Sequence, residues 1–425
     1  MLSVEQAENV ILNLVQPLSW ERDTEVLDLL EVPDRILAAP VTSKLDFPHW
    51  DNSAMDGYAV RYADVQACSA QHPVTLEIVE EIPAGYQPQK TVQAGQAARI
   101  LTGSILPAGA DTIVIQEETQ RQGDRVTIYA APQPQAYVRQ RAAFYKAGHP
   151  LFAAGIRLQA PEIAVLAAAQ CPRIQVYRKP RVAILSTGSE LVGIDQPLLP
   201  GQIVDSNQYA LAALIAQSGA EPLRLGIVPD QPEALKAAIA HALASADVVL
   251  SSGGVSVGSY DYVDEILAML GAEIHLSAVA MKPGKPLTVA TFDQPAAQTK
   301  LKTQNSKLKT LYFGLPGNPV SALVTFWRFV QPALRKLSGL SQPWGPTFVT
   351  AKTCSELRSD GKRESYLWGY LRLVNGAYEF ELAGGNHSSG NLINLAGTTG
   401  LAVLAIGQQQ ISAGSQVRVL QIGSL

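Results

Sequence analysis

Apolar residues fall at helical spacing near the head of the chain, at Val4, Ala7, Val10, Ile11 and Leu14, and residues 1–45 read as helical. From 46 to 136 the period changes. Short alternating runs (Val74-Thr75-Leu76-Glu77-Ile78, Thr112-Ile113-Val114-Ile115, Arg125-Val126-Thr127-Ile128) lie between Gly/Pro turns and predict a small β domain. Residues 137–178 return to a helical pattern, clearest at 162–170. The β domain therefore reads as an insertion between two helical segments that pack side by side. Residues 179–337 alternate strand and helix. Strands are expected at 181–186, 223–228, 247–251 and 311–315, and helices at 206–217, 231–244, 262–270 and from Pro319. Asp205 or Ser206, and then Asp230, are the expected N-caps, and Gly219 the stop of the first of these helices. Repeated βα units predict a three-layer α/β sandwich with a largely parallel sheet. Residues 294–310, polar and rich in Lys and Gln, interrupt it as a surface insertion. Short runs at 348–350, 378–382, 401–404 and 416–420 predict a C-terminal β-barrel over 338–425.

Composition narrows the function classes. With 425 residues, 47% of them hydrophobic and 16% charged, the chain is globular and long enough for about two to four domains. A net charge of −4, with Lys and Arg scattered, gives no electrostatic case for nucleic acid. Cys68, Cys171 and Cys354 form no C-x-x-C, which fits a reducing compartment and not structural zinc. The acidic head, with Glu5 and Glu8 and no basic stretch, reads as a helix and not as a signal peptide. No apolar run reaches the length of a membrane span, so the expected location is the cytoplasm.

The chemistry gathers at strand ends. Ser251-Ser252-Gly253-Gly254-Val255-Ser256-Val257-Gly258-Ser259-Tyr260-Asp261 follows an apolar run and precedes a helix, the arrangement by which α/β proteins hold phosphates. Asp261 is out of place beside an anion, unless a metal intervenes or the chemistry needs a base. Three further cassettes are Ser186-Thr187-Gly188-Ser189-Glu190, Asp230 after Pro229, and Gly314-Leu315-Pro316-Gly317-Asn318-Pro319. Each alone reads as a turn or, for Asp230, a cap. Four on one sheet point to a site at the carboxyl edge. Glu190, Asp230 and Asp261 then form an acidic set suited to Mg²⁺, which prefers hard oxygen ligands. Lys282 and Lys285, on the turn Met281-Lys282-Pro283-Gly284-Lys285-Pro286, suggest an oxyanion clamp. The segment 46–58 and the Gly/hydroxyl loop from Arg99 to Asp111 are candidate functional loops of the β domain. Gly254-Val255-Ser256-Val257-Gly258 also fits the nucleophile elbow of serine hydrolases, with only His275 and His387 downstream as partners.

Taken in order, these cassettes resemble the molybdopterin molybdenumtransferase family (MoeA; the E domain of gephyrin is similar) over nearly the whole chain. The resemblance implies four domains: a helical dimerisation part from 1–45 and 137–178, an inserted β domain at 46–136, a molybdopterin-binding α/β domain at 179–337, and a β-barrel at 338–425. It implies a homodimer whose cleft draws on both subunits, and a molybdopterin adenylyltransferase as a candidate partner. The implied reaction inserts molybdenum from molybdate into adenylated molybdopterin, releases AMP and requires Mg²⁺. Gly253, Gly254, Ser256 and Gly258 would hold the phosphate side of the pterin nucleotide. Glu190, Asp230 and Asp261 would handle Mg²⁺ or activate water. Lys282 and Lys285 would neutralise molybdate or phosphate. Pro316 and Pro319 would shape the pocket wall. Asp56 and Thr102 would line the cleft from the β domain, and Arg363 and Ser389 from the barrel.

One departure bears on activity. Where the family has Gly-Glu-Asp after Val-Arg, this chain reads Val138-Arg139-Gln140-Arg141-Ala142-Ala143-Phe144, so Phe144 stands at the position of a functional Asp and Ala142 at that of the Gly. Ser189 replaces a common Asp, a smaller change. The alternative is therefore a catalytically weakened pterin-binding or scaffold paralogue on the same fold.

Overall fold

The computed structural model describes residues 1–253, 262–293 and 309–423. The chain folds as two compact units, one of residues 1–39, 154–164 and 172–425, the other of 40–153 and 165–171.

The smaller unit is built on a six-stranded sheet in the order Thr112–Ile115, Gly57–Val60, Gln96–Ile100, Val74–Ile82, Arg125–Ile128, Thr119–Gln122. All three strands expected from alternation are present. The alternation sends Tyr58 and Val60 into one apolar cluster and Ala59 into another, on the opposite face. Residues 46–51 and 141–147 run beside each other. Arg141 donates from its backbone to Asp51 and from Nε to Asp46, both at 2.6 Å.

In the larger unit the first helix is Val4–Leu14, capped by Ser3 and Gln6 in a reciprocal capping box. Beyond it, the only helical piece of 1–45 is a 3-10 turn at Leu29–Glu31, and most of 137–178 is not helical. Thr24–Asp28 is a strand, paired antiparallel over its whole length with Arg173–Tyr177. The two segments do meet, as expected, but through a β ladder. Ile174 and Val176 alternate inward there, a period of two that the short run concealed. The helix expected at 162–170 is Ala160–Ala168.

The α/β sheet has the order Glu221–Val228, Arg181–Thr187, Val248–Ser252, Lys309–Leu315, Pro286–Asp293, Glu273–Ala278. Its first four strands are parallel, Pro286–Asp293 runs antiparallel to both its neighbours, and Glu273–Ala278 returns to the common direction. Arg181–Thr187 is buried on both faces: Val182 and Ile184 join one core, Ala183 and Leu185 the other. Helices Asn207–Gln217, Pro232–Ser245, Tyr262–Met269 and Pro319–Thr325 stand where expected. Of the insertion expected at 294–310, residues 294–308 lie outside the described residues, and Lys309 and Thr310 belong instead to the strand Lys309–Leu315.

The C-terminal strands Glu364–Val374, Ala377–Leu382, Phe348–Thr353, Gln416–Gln421 and Gly400–Leu404 pair in that order, and the last returns to the first. This closes a five-stranded barrel. Its longest strand, Glu364–Val374, was not expected. Met281–Lys282 of the α/β domain pairs parallel with this strand, setting Met281 opposite Glu364 and Lys282 opposite Ser365. The core crosses the same seam, joining Val320, Phe326 and Phe329 to Tyr366, Trp368 and Leu401.

Candidate functional site

Parallel strands place their following loops on one edge, and all four cassettes emerge there. Thr187, Val228, Ser252 and Leu315 are the last strand residues before them. Gly253 has φ +94°, and a Cβ on it would lie 2.2 Å from the Thr187 carbonyl oxygen, so only glycine fits. Its N–H donates to the Leu315 carbonyl at 3.3 Å. Asn207 binds the third and fourth cassettes together, its Nδ2 donating to Ser252 Oγ at 2.6 Å and to the Gly317 carbonyl at 2.8 Å. Three buried polar atoms facing these loops, Ser186 Oγ, Thr187 Oγ1 and Asn207 Oδ1, have no hydrogen-bond partner among the described residues. Buried polar atoms are normally satisfied, so these three stand open to a polar partner. Gly254, Ser256, Gly258 and Asp261 lie outside the described residues.

Asp230 is not the helix cap. The N-cap of Pro232–Ser245 is Gln231, without a side-chain cap bond. Asp230 instead accepts the Ser189 N–H at 3.0 Å and donates its own N–H to Ser189 Oγ at 3.4 Å. Glu190 folds over Gly188, where an added Cβ would sit 2.6 Å from Glu190 Oε2. Two exposed carboxylates thus flank one short turn, 188–190. No cluster of three acidic, His or Cys groups exists among the described residues. The hard-oxygen pair fits Mg²⁺ chemistry, with the third acid of the set outside the described residues.

A cavity of about 550 Å³ adjoins this edge, in the range of small-molecule sites. On one side are Lys282, Pro283, Gly284 and Lys285 with Asn318 and Ser321. On the other are barrel residues including Arg358, Arg363, Trp368 and Ser389. The backbone ladder at 281–282 and 364–365 brings these walls together. The Ser389 carbonyl accepts the Val320 N–H at 3.1 Å, seating the barrel loop on the helix that begins at Pro319. Pro316 is buried behind the turn. Lys282 Nζ donates to Asp360 Oδ2 at 3.0 Å. The Lys362 backbone N–H, then Lys282, hold the Asp360 carboxyl below the usual carboxylate range. Lys285 has no ion-pair partner among the described residues. Arg363 makes a 3.5 Å contact with the Met281 carbonyl, and its charge adds to the lowering at Asp360.

Behind the cavity, Tyr366 donates to Glu364 and receives Arg328 Nε at 3.2 Å. Arg328, 5% exposed, reaches Glu8 of the first helix at 2.7 Å. Burial pushes the Tyr366 phenol up, so it stays a neutral donor. Sequence reasoning missed Arg358, Asp360 and Trp368, and met His387 only as a hydrolase partner. The cluster Arg358-Ser359-Asp360 before an aromatic run was the available signal.

In the smaller unit Asp56 Oδ1 accepts both the backbone N–H and the hydroxyl of Thr102, each at 2.7 Å. These bonds hold the Asp56 carboxyl below its ordinary range. Phe144 is 71% exposed, and Ala142 has φ +62°, a left-handed conformation that glycine adopts without strain. The hydrolase reading finds its histidines engaged: His275 Nε2 pairs with Thr291 Oγ1 and His387 Nε2 with the Ala383 carbonyl, both at 2.8 Å.

Family models match in three consecutive stretches: the MoeA N-terminal region (domain I and II) over 2–169, a probable molybdopterin binding domain over 183–336, and the MoeA C-terminal region (domain IV) over 350–422. A molybdopterin molybdenumtransferase of Nostoc sp. is 60% identical over 422 residues, covering 99% of this chain and 94% of its own length. That of Haemophilus influenzae is 34% identical, covering 87% and 86%. A crystal structure of the molybdopterin biosynthesis moeA protein of Pyrococcus horikoshii superposes with a TM-score of 0.83 at 25% identity, over 99% of this chain and all of that one. Nothing in these relatives favours a weakened pterin-binding paralogue.

Proposed function

The chain belongs to the MoeA family of molybdopterin molybdenumtransferases, enzymes of molybdenum cofactor biosynthesis, and from that premise we propose how its residues divide the work. The pterin nucleotide binds at the cradle, its phosphate end over Gly253 and the loop with Gly254, Ser256 and Gly258. Molybdate binds in the adjoining cavity, held by Lys282, Lys285, Arg363 and Ser389. Molybdenum enters the dithiolene and AMP leaves. The observation that carries this reading is the shared turn at 316–321. Its Gly317 carbonyl is tied to the cradle through Asn207, while its Asn318 and Ser321 line the cationic cavity. A pterin phosphate and an oxyanion bound on the two sides of one turn are neighbours.

Both substrates are anionic, so lysines, arginines and N–H groups do the binding. Carboxylates beside them need another task. Glu190, Asp230 and Asp261 would hold Mg²⁺, which when bound offsets charge between these carboxylates and the phosphate. Asp230 also fixes the Ser189 backbone, keeping Glu190 aimed at the edge. Asp261, where it is not on the metal, would instead activate the water whose attack on the pyrophosphate releases AMP. Pro316 and Pro319 stiffen the turn between the two ligands. Asp56 and Thr102 contribute to the cleft from the inserted domain, in a homodimer that draws on both subunits. No helix among the described residues is long and apolar enough to cross a membrane. A cytoplasmic enzyme receiving its pterin from an adenylyltransferase is the matching context.

The test is AMP release from adenylated molybdopterin, with and without molybdate and Mg²⁺. Release should depend on molybdate, fall on chelation, and be lost in Asp261→Asn. Full turnover in that variant would remove Asp261 from the mechanism, and release independent of molybdate would remove the reaction. Sedimentation of the full chain as a monomer at micromolar concentration would remove the shared cleft.

A further inference from the structure

We infer that Arg328 is a positioning residue for the oxyanion cavity: from behind the lining, its guanidinium fixes the Lys282 turn against the Asn318–Ser321 wall. This rests on the oxyanion reading of that cavity and adds a residue to it. Asn318 and Ser321 line the cavity from the start of the helix Pro319–Thr325. That helix runs directly into one π turn, Phe326–Val330, and on into Gln331–Leu337. Turns of this kind are rare and gather at functional sites. Arg328 sits at the middle of it. Its Nε donates to Tyr366 Oη at 3.2 Å and its Nη2 to Glu8 Oε2 at 2.7 Å. The Tyr366 hydroxyl donates to Glu364. The Glu364 backbone N–H donates to the Ala280 carbonyl at 3.0 Å, and the Ala280 N–H to the Leu2 carbonyl at 2.8 Å. The turn that carries both lysines is closed at its root by the Val279 N–H on the Lys285 carbonyl at 2.9 Å. Leu2 stands just ahead of the helix Val4–Leu14 that bears Glu8. One guanidinium therefore ties the helix of one wall to the strand and the N-terminal segment that hold the root of the other.

Stability alone does not account for this arrangement. Desolvation offsets much of the attraction in a buried ion pair, and an apolar pair of similar volume is commonly as stable. Arg328 Nη1 is also buried without a partner among the described residues, a further penalty. What a guanidinium supplies and an apolar chain cannot is direction. Its planar fork donates along fixed lines to Tyr366 and Glu8 at once. The rings of Phe329 and Phe348, 5.4 and 5.8 Å from its central carbon, leave it little room to turn. Lys282 aims its ammonium from a flexible stem, so its reach depends on where the backbone at 281–282 is held. An oxyanion bound between Lys282 and Ser321 feels any change in their separation, because its contacts on both sides are short.

The experiment is equilibrium dialysis of labelled molybdate on the full chain, with the affinity for adenylated molybdopterin and the urea midpoint measured alongside. Glu8→Leu with Arg328→Met replaces the ion pair by apolar side chains and should keep the midpoint near that of the parent. Molybdate should bind this variant about tenfold more weakly, and the pterin nucleotide within about twofold of the parent. Tyr366→Phe removes only the hydroxyl that links Arg328 to Glu364, and should weaken molybdate by about threefold or more. Molybdate affinity equal to the parent's in either folded variant overturns the inference. Losses that fall equally on both ligands, or that follow a lowered urea midpoint, mark a general loosening and overturn it as well. Absence of any saturable molybdate binding in the parent overturns the oxyanion reading itself.

Discussion

Asp360→Asn should tighten oxyanion binding, although it removes a hydrogen-bonded partner of a binding lysine. The carboxylate lies 3.0 Å from Lys282 Nζ. A ligand oxygen on the far side of that nitrogen would be about 3 Å beyond it, so the Asp360 charge stands roughly 6 Å from the ligand. The pair is half open to water, with side-chain exposures of 52% and 32%, which calls for a water-like dielectric. Repulsion is then about 0.7 kcal/mol per unit of ligand charge, or about 1.4 kcal/mol for a dianion before screening. Salt at about 0.1 M reduces this to roughly 1 kcal/mol, about fivefold in affinity. The amide oxygen of Asn still accepts from Lys282, which keeps the ammonium in place, while its NH₂ replaces the oxygen that accepted the Lys362 N–H. Because the Asp360 carboxyl is held below its usual range, its charge persists through neutral pH and is lost only in acid. The gain should therefore be flat with pH above about 5. Calorimetric titration of molybdate into both proteins, at low and high salt, is the assay. Weaker binding in Asp360→Asn, or a gain that salt does not erode, would refute the electrostatic account.

Glu8→Gln leaves the Arg328 charge buried without its carboxylate and should cost about 2–4 kcal/mol, the lower part of the usual range because Glu8 is 20% exposed. Glu8→Leu with Arg328→Met should recover most of it, and a urea midpoint unmoved by Glu8→Gln would show the pair to be idle. Gly253→Ala forces a Cβ to 2.2 Å from the Thr187 carbonyl at φ +94°, and should cost about 1–3 kcal/mol and most pterin-nucleotide affinity. Binding retained in the folded variant would take the cradle from its assigned role. Thr102→Val should raise the Asp56 pKa toward the ordinary carboxylate value, read by NMR titration, and only in part because the Thr102 N–H remains. The sign follows from the depressed pKa. The stabilisation is present above the ordinary carboxylate value and lost as pH falls through the lower folded value, so the variant should differ from the parent near neutrality and converge with it in acid.

Local period made the α/β domain legible. Runs such as Val182-Ala183-Ile184-Leu185 and Val248-Val249-Leu250 are buried on both faces, and Gly219, at φ +79°, follows the first helix between them as its expected stop. What escaped depended on distant partners. Thr24–Asp28 gains its strand identity from Arg173–Tyr177, with the entire inserted domain between them. Asp230 looks like a cap because it precedes a helix with Pro at its start, and only the neighbouring strand shows that Ser189 is what it holds. Lys282 and Lys285 were legible as two cations on one stiff turn, and both line the cavity. Their opposite wall was only half visible, through Arg363 and Ser389, because it is delivered by a long strand whose aromatic residues read as core.

The ladder joining Met281–Lys282 to Glu364–Ser365 also bears on how separable the C-terminal barrel is. The barrel closes on itself, yet the first residues of its longest strand take main-chain partners from outside it. A fragment beginning at 338 would keep closure but bare that stretch of backbone and the apolar side chains beneath it, among them Tyr366 and Trp368. Such a fragment would carry an unpaired edge over a sticky face, a recipe for self-association. Shuffling this barrel onto another scaffold would require a two-residue graft along with it.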